Sequence, residues 1–331
     1  MSVTRSSAPE PVTEVIDRAS GWLPARMAEV ERRLESLVSN WGPRLGDDAG
    51  STLSAGGKRM RPLLVLLCAG PGAGREAVRA ATAIELVHMA TLVHDDVLDS
   101  APLRRGLPTV VARSGRDRAV ATGDLLFSRA FAELTAVADD PTAARQVQLL
   151  AGASVALARG ELAQRHDAYD TRITIERYEH RCSLKTAALF ECACTIGAAR
   201  DHEAEAALLA FGREIGLAFQ ILDDVLDVLG PPERTGKARG TDLLDGTVTL
   251  PFILAGQRDP GLLELDLRTL LADEAADVCD RIAATGAPER ARDDARDRVE
   301  RAKTTLAATN VTAEELELLH LVADGVVDRY S

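Results

Sequence analysis

Apolar residues recur at intervals of three and four along most of the chain. Between Glu29 and Val38, the side chains of Val30, Leu34, Leu37 and Val38 fall on one helical face. The same spacing predicts helices over Leu63–Cys68, Ala77–Leu98, Arg118–Ala138, Ala143–Ala163, Ile175–Gly197, Glu203–Leu229 and Thr312–Tyr330. Several of these segments are almost wholly apolar or small, the mark of central helices packed on all sides. Strand signals are thin, with no sustained alternation of β-branched and polar residues and no Asn-Gly turn. Breakers fall between the helices at Gly70–Gly74, Asp139–Pro141 and Gly230–Pro232. The first of these suggests a phosphate loop, but no Gly-Lys-Ser/Thr follows and no strand precedes it, so it reads as a plain connection. No long Ser/Pro/Gly linker divides the 331 residues. The expected architecture is one all-α domain over 1–331, with residues 1–25 flexible or loosely packed.

Composition narrows the function. A chain that is 46% hydrophobic is too apolar for disorder. With 39 basic and 51 acidic side chains, its formal net charge is −12. That balance disfavours nucleic acid and anionic membrane as partners, since both call for basic surface. An anionic substrate must therefore be held by local cations or metal ions. Cys68, Cys182, Cys192, Cys194 and Cys279 form no CxxC pair and suggest neither a disulfide framework nor a zinc site. Buried thiols in a reducing compartment fit better. No apolar stretch approaches the roughly 20 residues that span a bilayer, so a cytoplasmic protein is expected.

The candidate chemistry lies in a repeated pentapeptide. Asp-Asp-Val-Leu-Asp occurs at Asp95–Asp99 and again at Asp223–Asp227. In a helix, the first and last carboxylates of each copy share a face one turn apart. Chance clustering on a solvated surface is the bland alternative, but both copies are flanked by apolar sequence (Met89–Val93 and Leu217–Leu222). Like charges on an apolar helix are unfavourable unless something cationic neutralises them. Hard divalent ions are the natural answer, and Mg²⁺ keeps water and phosphate oxygens as further ligands. Basic residues stand nearby in sequence: Lys58, Arg59 and Arg61 after two glycines, Arg104 and Arg105 just past the first motif, then Lys185 and Lys237. Arginine suits bidentate phosphate contacts. Gln220 precedes Asp223 by three residues, close to its carboxylate face.

Taken together, the motifs resemble those of the trans-isoprenyl diphosphate synthase (polyprenyl synthetase) family, particularly its bacterial long-chain members. They are GGKRMRP (Gly56–Pro62), HDDVLDSAPLRRGLPT (His94–Thr109), GEL with Gln164 (Gly160–Gln164), LKT (Leu184–Thr186), FQILDDVLD (Phe219–Asp227) and GKARGTDLLDGTVTLP (Gly236–Pro251). Their order and spacing match the family from Gly56 to Pro251. One position departs from the common pattern: Gly246 is followed by Thr247, where many relatives carry a lysine.

The resemblance implies an isoprenoid synthase-type helical bundle around a deep central cavity, as a homodimer. It implies head-to-tail condensation of isopentenyl diphosphate with an allylic diphosphate. Asp95, Asp99 and Asp223 would coordinate up to three Mg²⁺, with Asp96, Asp224 and Asp227 completing the two motifs in support. Arg104, Lys185 and Lys237 would bind the allylic diphosphate, assisted by Thr186 and Gln220. Lys58, Arg61, His88 and Arg105 would hold isopentenyl diphosphate. The released diphosphate would remove the proton that completes the reaction, so no side-chain base is needed.

In this family, bulky aromatic residues four or five positions before the first aspartate close the product tunnel. Those positions are Thr91 and Ala90 here, with Val87 a turn further back. Helical spacing puts Thr91 on the face of Asp95 with Val87 near it, and turns Ala90 away. Phe127 and Phe131 are the candidate lower stops. The expected product is longer than C20, in the hexaprenyl to decaprenyl range, with a short-chain synthase as the alternative. A terpene cyclase, sharing fold and metal chemistry, has no second diphosphate for GGKRMRP to bind. A non-catalytic subunit would not be expected to keep both aspartate motifs.

Overall fold

The computed structural model describes residues 10–54, 56–136, 142–198, 202–230, 239–307 and 311–328. The amino-terminal helices are α1 (Glu10–Arg18), α2 (Leu23–Ser39), α3 (Gly42–Ser54), α4 (Met60–Ala69) and α5 (Arg75–Leu98). After a short hairpin come α6 (Val110–Ser114), α7 (Arg116–Leu134), α8 (Ala143–Asp167), α9 (Ile175–Cys182), α10 (Ala188–Gly197) and α11 (His202–Leu229). The carboxy-terminal part is α12 (Thr241–Leu244), α13 (Leu250–Gly256), α14 (Ala272–Ala284), α15 (Ala287–Ala307) and α16 (Ala313–Asp328). The fold is all-α. The segments predicted from apolar spacing coincide with α2, α4, α5, α7, α8, the α9–α10 run, α11 and α16.

The core forms around α5, whose Ala80, Ala81, Ala83, Ile84, Leu86, Val87 and Ala90 have no exposed surface. Small side chains let α7 and α4 approach it closely, while α10 packs against α4, α8 and α11. A second layer is α15 against α11, with Ala291, Ala295, Val299, Ala302 and Leu306 turned inward at intervals of three and four.

Of the segment 1–25 expected to be loose, the structure describes residues 10–25, where α1 packs on α16 and Val15, Ala19 and Leu23 are buried. Each removes apolar surface from water, which draws this stretch into the core. The breakers at Asp139–Pro141 and Pro231–Pro232 lie outside the described residues. Four of the five free cysteines are buried and Cys68 is half-buried.

Two local features position the site. Leu103–Arg104 pairs antiparallel with Leu107–Pro108, and the turn residues Arg105 and Gly106 have φ of +52° and +77°. Positive φ at both turn positions matches the right-handed twist of a two-residue hairpin, and Gly106 adopts it without steric cost. Between α9 and α10, Ser183–Ala187 widens into a π-helical turn in which the Ala188 N–H donates to the Ser183 carbonyl.

Candidate active site

The π-helical turn lies between the two acidic motifs. A Cβ on Gly160 of α8 would come within 2.5 Å of the Lys185 backbone nitrogen, and one on Gly216 of α11 within 2.6 Å of the Ala187 Cα. Only glycine lets both helices pack so tightly against the wide turn. As a result Lys185 and Thr186, consecutive in sequence, serve different motifs.

Lys185 faces the first motif. Its Nζ donates to Glu161 Oε2 at 2.5 Å, and its charge lowers the pKa of the half-buried Asp95. Burial nonetheless pushes the Asp95 carboxyl up to about 6, with Glu161 and Asp99 adding like-charge repulsion. The adjacent Asp96 is buried, and its Oδ1 accepts from Nε and Nη2 of Arg104 at 2.8 Å. Asp99 closes the carboxyl end of α5 and accepts from Arg165 at 2.6 Å.

Thr186 faces the second motif. Its hydroxyl donates to Gln220 Oε1 at 2.6 Å, and Gln220 Nε2 donates to Asp224 Oδ1 at 2.8 Å. The buried Tyr178 hydroxyl donates to the other oxygen of Asp224 at 2.6 Å. Desolvation pushes the Asp224 carboxyl up to about 8, with the charge of Asp242 next and the bonds from Tyr178 and Gln220 opposing. Asp223 is half-buried, and its negative charge reaches Arg61. Asp227 turns away to accept the Thr241 and Asp242 N–H groups at 3.1 and 3.2 Å, capping α12.

The remaining cations gather between α4, α5 and the hairpin. The Arg61 guanidinium lies 4.5 Å from the centre of the Phe190 ring and 3.4 Å from His88 Nε2. Burial lowers the Arg61 pKa to about 10 against the pull of Glu85 and Asp223. Burial also holds His88 well below its usual range, reinforced by Arg61, Arg105, Arg104 and Arg59, so its ring is neutral. Gly57 lies against the guanidinium groups of Arg59 and Arg105, and Lys58 is exposed beside it. Arg59 itself is structural: it binds Glu31 and the buried Glu85, each at 2.7 Å.

Of the tunnel candidates, Thr91 is half-buried with its hydroxyl donating to the His88 carbonyl at 2.8 Å. Val87 and Ala90 are wholly buried. Phe127 stacks with His94 at 6.4 Å between ring centres, and Phe131 lies one turn further along α7. Lys237 lies outside the described residues. Thr247 is half-buried, and its N–H donates to the Asp242 carbonyl at 2.7 Å. Three residues of the network carry no role in the sequence-level reading. Glu161 had a signal in the GEL motif, whereas Arg165 and Tyr178 had none.

Among the described residues, no three His, Cys, Asp or Glu side chains converge on a ready-made metal cage. The donor set still fits Mg²⁺, which takes one or two carboxylates plus phosphate oxygens and waters. Burial is the main cause of the raised Asp95 pKa, and a cation bound there would offset the cost of keeping that carboxylate charged.

The family model for polyprenyl synthetase matches residues 44–284. Heptaprenyl diphosphate synthase component 2 of Geobacillus stearothermophilus is 43% identical over 235 residues, 69% of this chain and 72% of that protein. The geranylgeranyl diphosphate synthase of Methanosarcina mazei is 36% identical over 241 residues, 70% of this chain and 74% of that protein. A crystal structure of polyprenyl synthase from Caulobacter crescentus, complexed with calcium and isoprenyl diphosphate, superposes with a TM-score of 0.88 at 31% identity. The superposition covers 98% of this chain and 99% of that one. The family match over residues 44–284, the identity to these synthases and the shared helical fold make this chain a prenyltransferase of the polyprenyl synthetase family.

Proposed function

We propose that the chain condenses isopentenyl diphosphate with an allylic diphosphate in a Mg²⁺-dependent, head-to-tail reaction, giving a trans-polyprenyl diphosphate longer than C20. The observation that carries this reading is the π-helical turn, which directs Lys185 to the first aspartate motif and Thr186 to the second. Asp95, Asp99 and Asp223 are the residues to hold Mg²⁺, up to three ions. Bound there, Mg²⁺ supplies neutralisation of charge on the departing diphosphate.

The chain's own residues do the rest. Lys185 and Arg104 bind the allylic diphosphate, with Lys237 completing the set. Thr186 donates its proton to Gln220, so its oxygen lone pairs are left to face the allylic carbon as positive charge builds there. Arg61, Arg105 and Lys58 hold isopentenyl diphosphate, and the neutral His88 contributes a hydrogen bond rather than a further charge. Holding the two substrates together removes much of the entropic barrier to their union.

The length assignment rests on the absence of an aromatic residue at Thr91, Ala90 and Val87, and agrees with the heptaprenyl name of the 43% identical relative. The active form is proposed to be a cytoplasmic homodimer. Among the described residues no helix is long and apolar enough to cross a membrane. Val120 on α7 and Val155 and Leu162 on α8 are exposed apolar side chains, up to 70% accessible, on neighbouring helices. The name component 2 in that relative favours a second reading, in which this face meets a different subunit.

One assay tests the activity. Purified protein with Mg²⁺, labelled isopentenyl diphosphate and allylic primers of several lengths should yield chains longer than C20 on chromatography. Products that stop at C20 with excess isopentenyl diphosphate overturn the length assignment, and no incorporation overturns the activity of the chain by itself. Light scattering on the same sample distinguishes a homodimer from a monomer that requires a partner.

A further inference from the structure

The first aspartate motif is flanked by a chain of alternating charge. Asp95 and Asp99 share one face of α5, a turn apart. Arg165 bridges outward from Asp99: its Nη2 donates to Asp99 Oδ1 at 2.6 Å, and its Nε donates to Glu161 Oε1 at 2.8 Å. The other oxygen of Glu161 accepts from Lys185, whose charge in turn reaches Asp95. Three carboxylates and two cations thus stand in series, each cation between two acidic side chains. The guanidinium of Arg165 satisfies two carboxylates with two different nitrogens, which a planar fork does well and an ammonium does poorly.

From this geometry we infer that Arg165 is an internal counter-ion with which a divalent metal competes for Asp99. The inference rests on the assignment of Asp95 and Asp99 as metal ligands. A divalent cation at the Asp95–Asp99 face repels the Arg165 guanidinium and competes with it for the Asp99 carboxylate, so metal entry weakens the Arg165–Asp99 bond. With its side chain nearly half exposed, Arg165 can swing into water while its Nε stays on Glu161. Arg165 is therefore a positioning residue. It offsets part of the motif's negative charge and raises the metal concentration at which the motif fills.

Mn²⁺ titration followed by electron paramagnetic resonance, with and without inorganic pyrophosphate, tests this directly. Arg165→Gln should tighten Mn²⁺ binding about two- to fivefold, the worth of a partly exposed ion pair, and lower the metal-free melting temperature. Arg159→Gln removes the same charge six residues earlier on α8 and should leave Mn²⁺ affinity unchanged. Unchanged or weaker binding by Arg165→Gln overturns the inference, as does equal tightening by Arg159→Gln, which would mark a general field. If the unmodified chain binds no Mn²⁺ even with pyrophosphate, the metal reading itself falls and this inference with it.

Discussion

Asp95 and Asp96 are neighbours in sequence but occupy opposite situations, because adjacent helical positions are rotated by about 100°. Asp95 is half-buried beside Lys185, whereas Asp96 is buried and tied to Arg104. The second motif divides in the same way: Asp223 is half-buried, and Asp224 is held inside by Tyr178 and Gln220. The two classes should respond differently to truncation. Asp95→Ala or Asp223→Ala is expected to lower kcat on the order of a thousandfold while circular dichroism stays helical. Near-normal turnover in either variant would remove the metal assignment. Asp224→Ala leaves the Tyr178 hydroxyl and the Gln220 amide without their buried acceptor, at a cost of about 1–3 kcal/mol. A thermal melt should show that loss, whereas Asp95→Ala should melt close to the unmodified protein.

At the level of elements, the close fit of α8 against the π-helical turn is what sets Lys185. Gly160 approaches backbone atoms of Lys185 rather than a movable side chain, so an added methyl has nowhere to go. Gly160→Ala should therefore destabilise the fold by about 1–3 kcal/mol in urea unfolding and weaken allylic-substrate binding together. A variant with unchanged stability and unchanged KM would mean that α8 adjusts freely, and that the glycine is not what positions the lysine. Helix α15 illustrates a limit of pattern reading at the same scale. Its inward residues include Ala291, Ala295 and Ala302, small side chains set among arginines and aspartates. Spacing alone does not distinguish such a face from a solvated one, and only packing against α11 identifies it as core.

For the whole molecule, the proposed control of product length lies at the three positions before Asp95. Thr91 is the half-buried member of the three positions before Asp95, while Val87 and Ala90 are already packed. An aromatic ring at 91 would project on the side of Asp95, whereas one at 90 would have to displace core. Thr91→Phe should therefore shorten the product toward C15–C20 and leave turnover of the primer intact. Ala90→Phe should instead lower the melting temperature through overpacking. Product chromatography and a melt on both variants check the pair of outcomes. Equal shortening by both substitutions would mean that the tunnel wall is not the face that carries Asp95.

Sequence by itself determined the helices with strong apolar spacing, the two acidic faces and the set of cations, because helical periodicity is a local property of the chain. Carboxylates four residues apart share a face wherever that helix goes. What it left open is everything that depends on which backbones meet. The pairing of Lys185 with Glu161, the bridge from Arg165 to Asp99, the capping of α12 by Asp227 and the burial of Tyr178 against Asp224 join residues well apart in the chain. None has a periodic signature, since each contact arises only after the helices have packed. The π-helical turn is the sharpest case: nothing in Ser183–Ala187 announces it, and it holds its place against the glycines of two other helices. Tertiary packing alone decided that two adjacent residues there would serve opposite sides of one site.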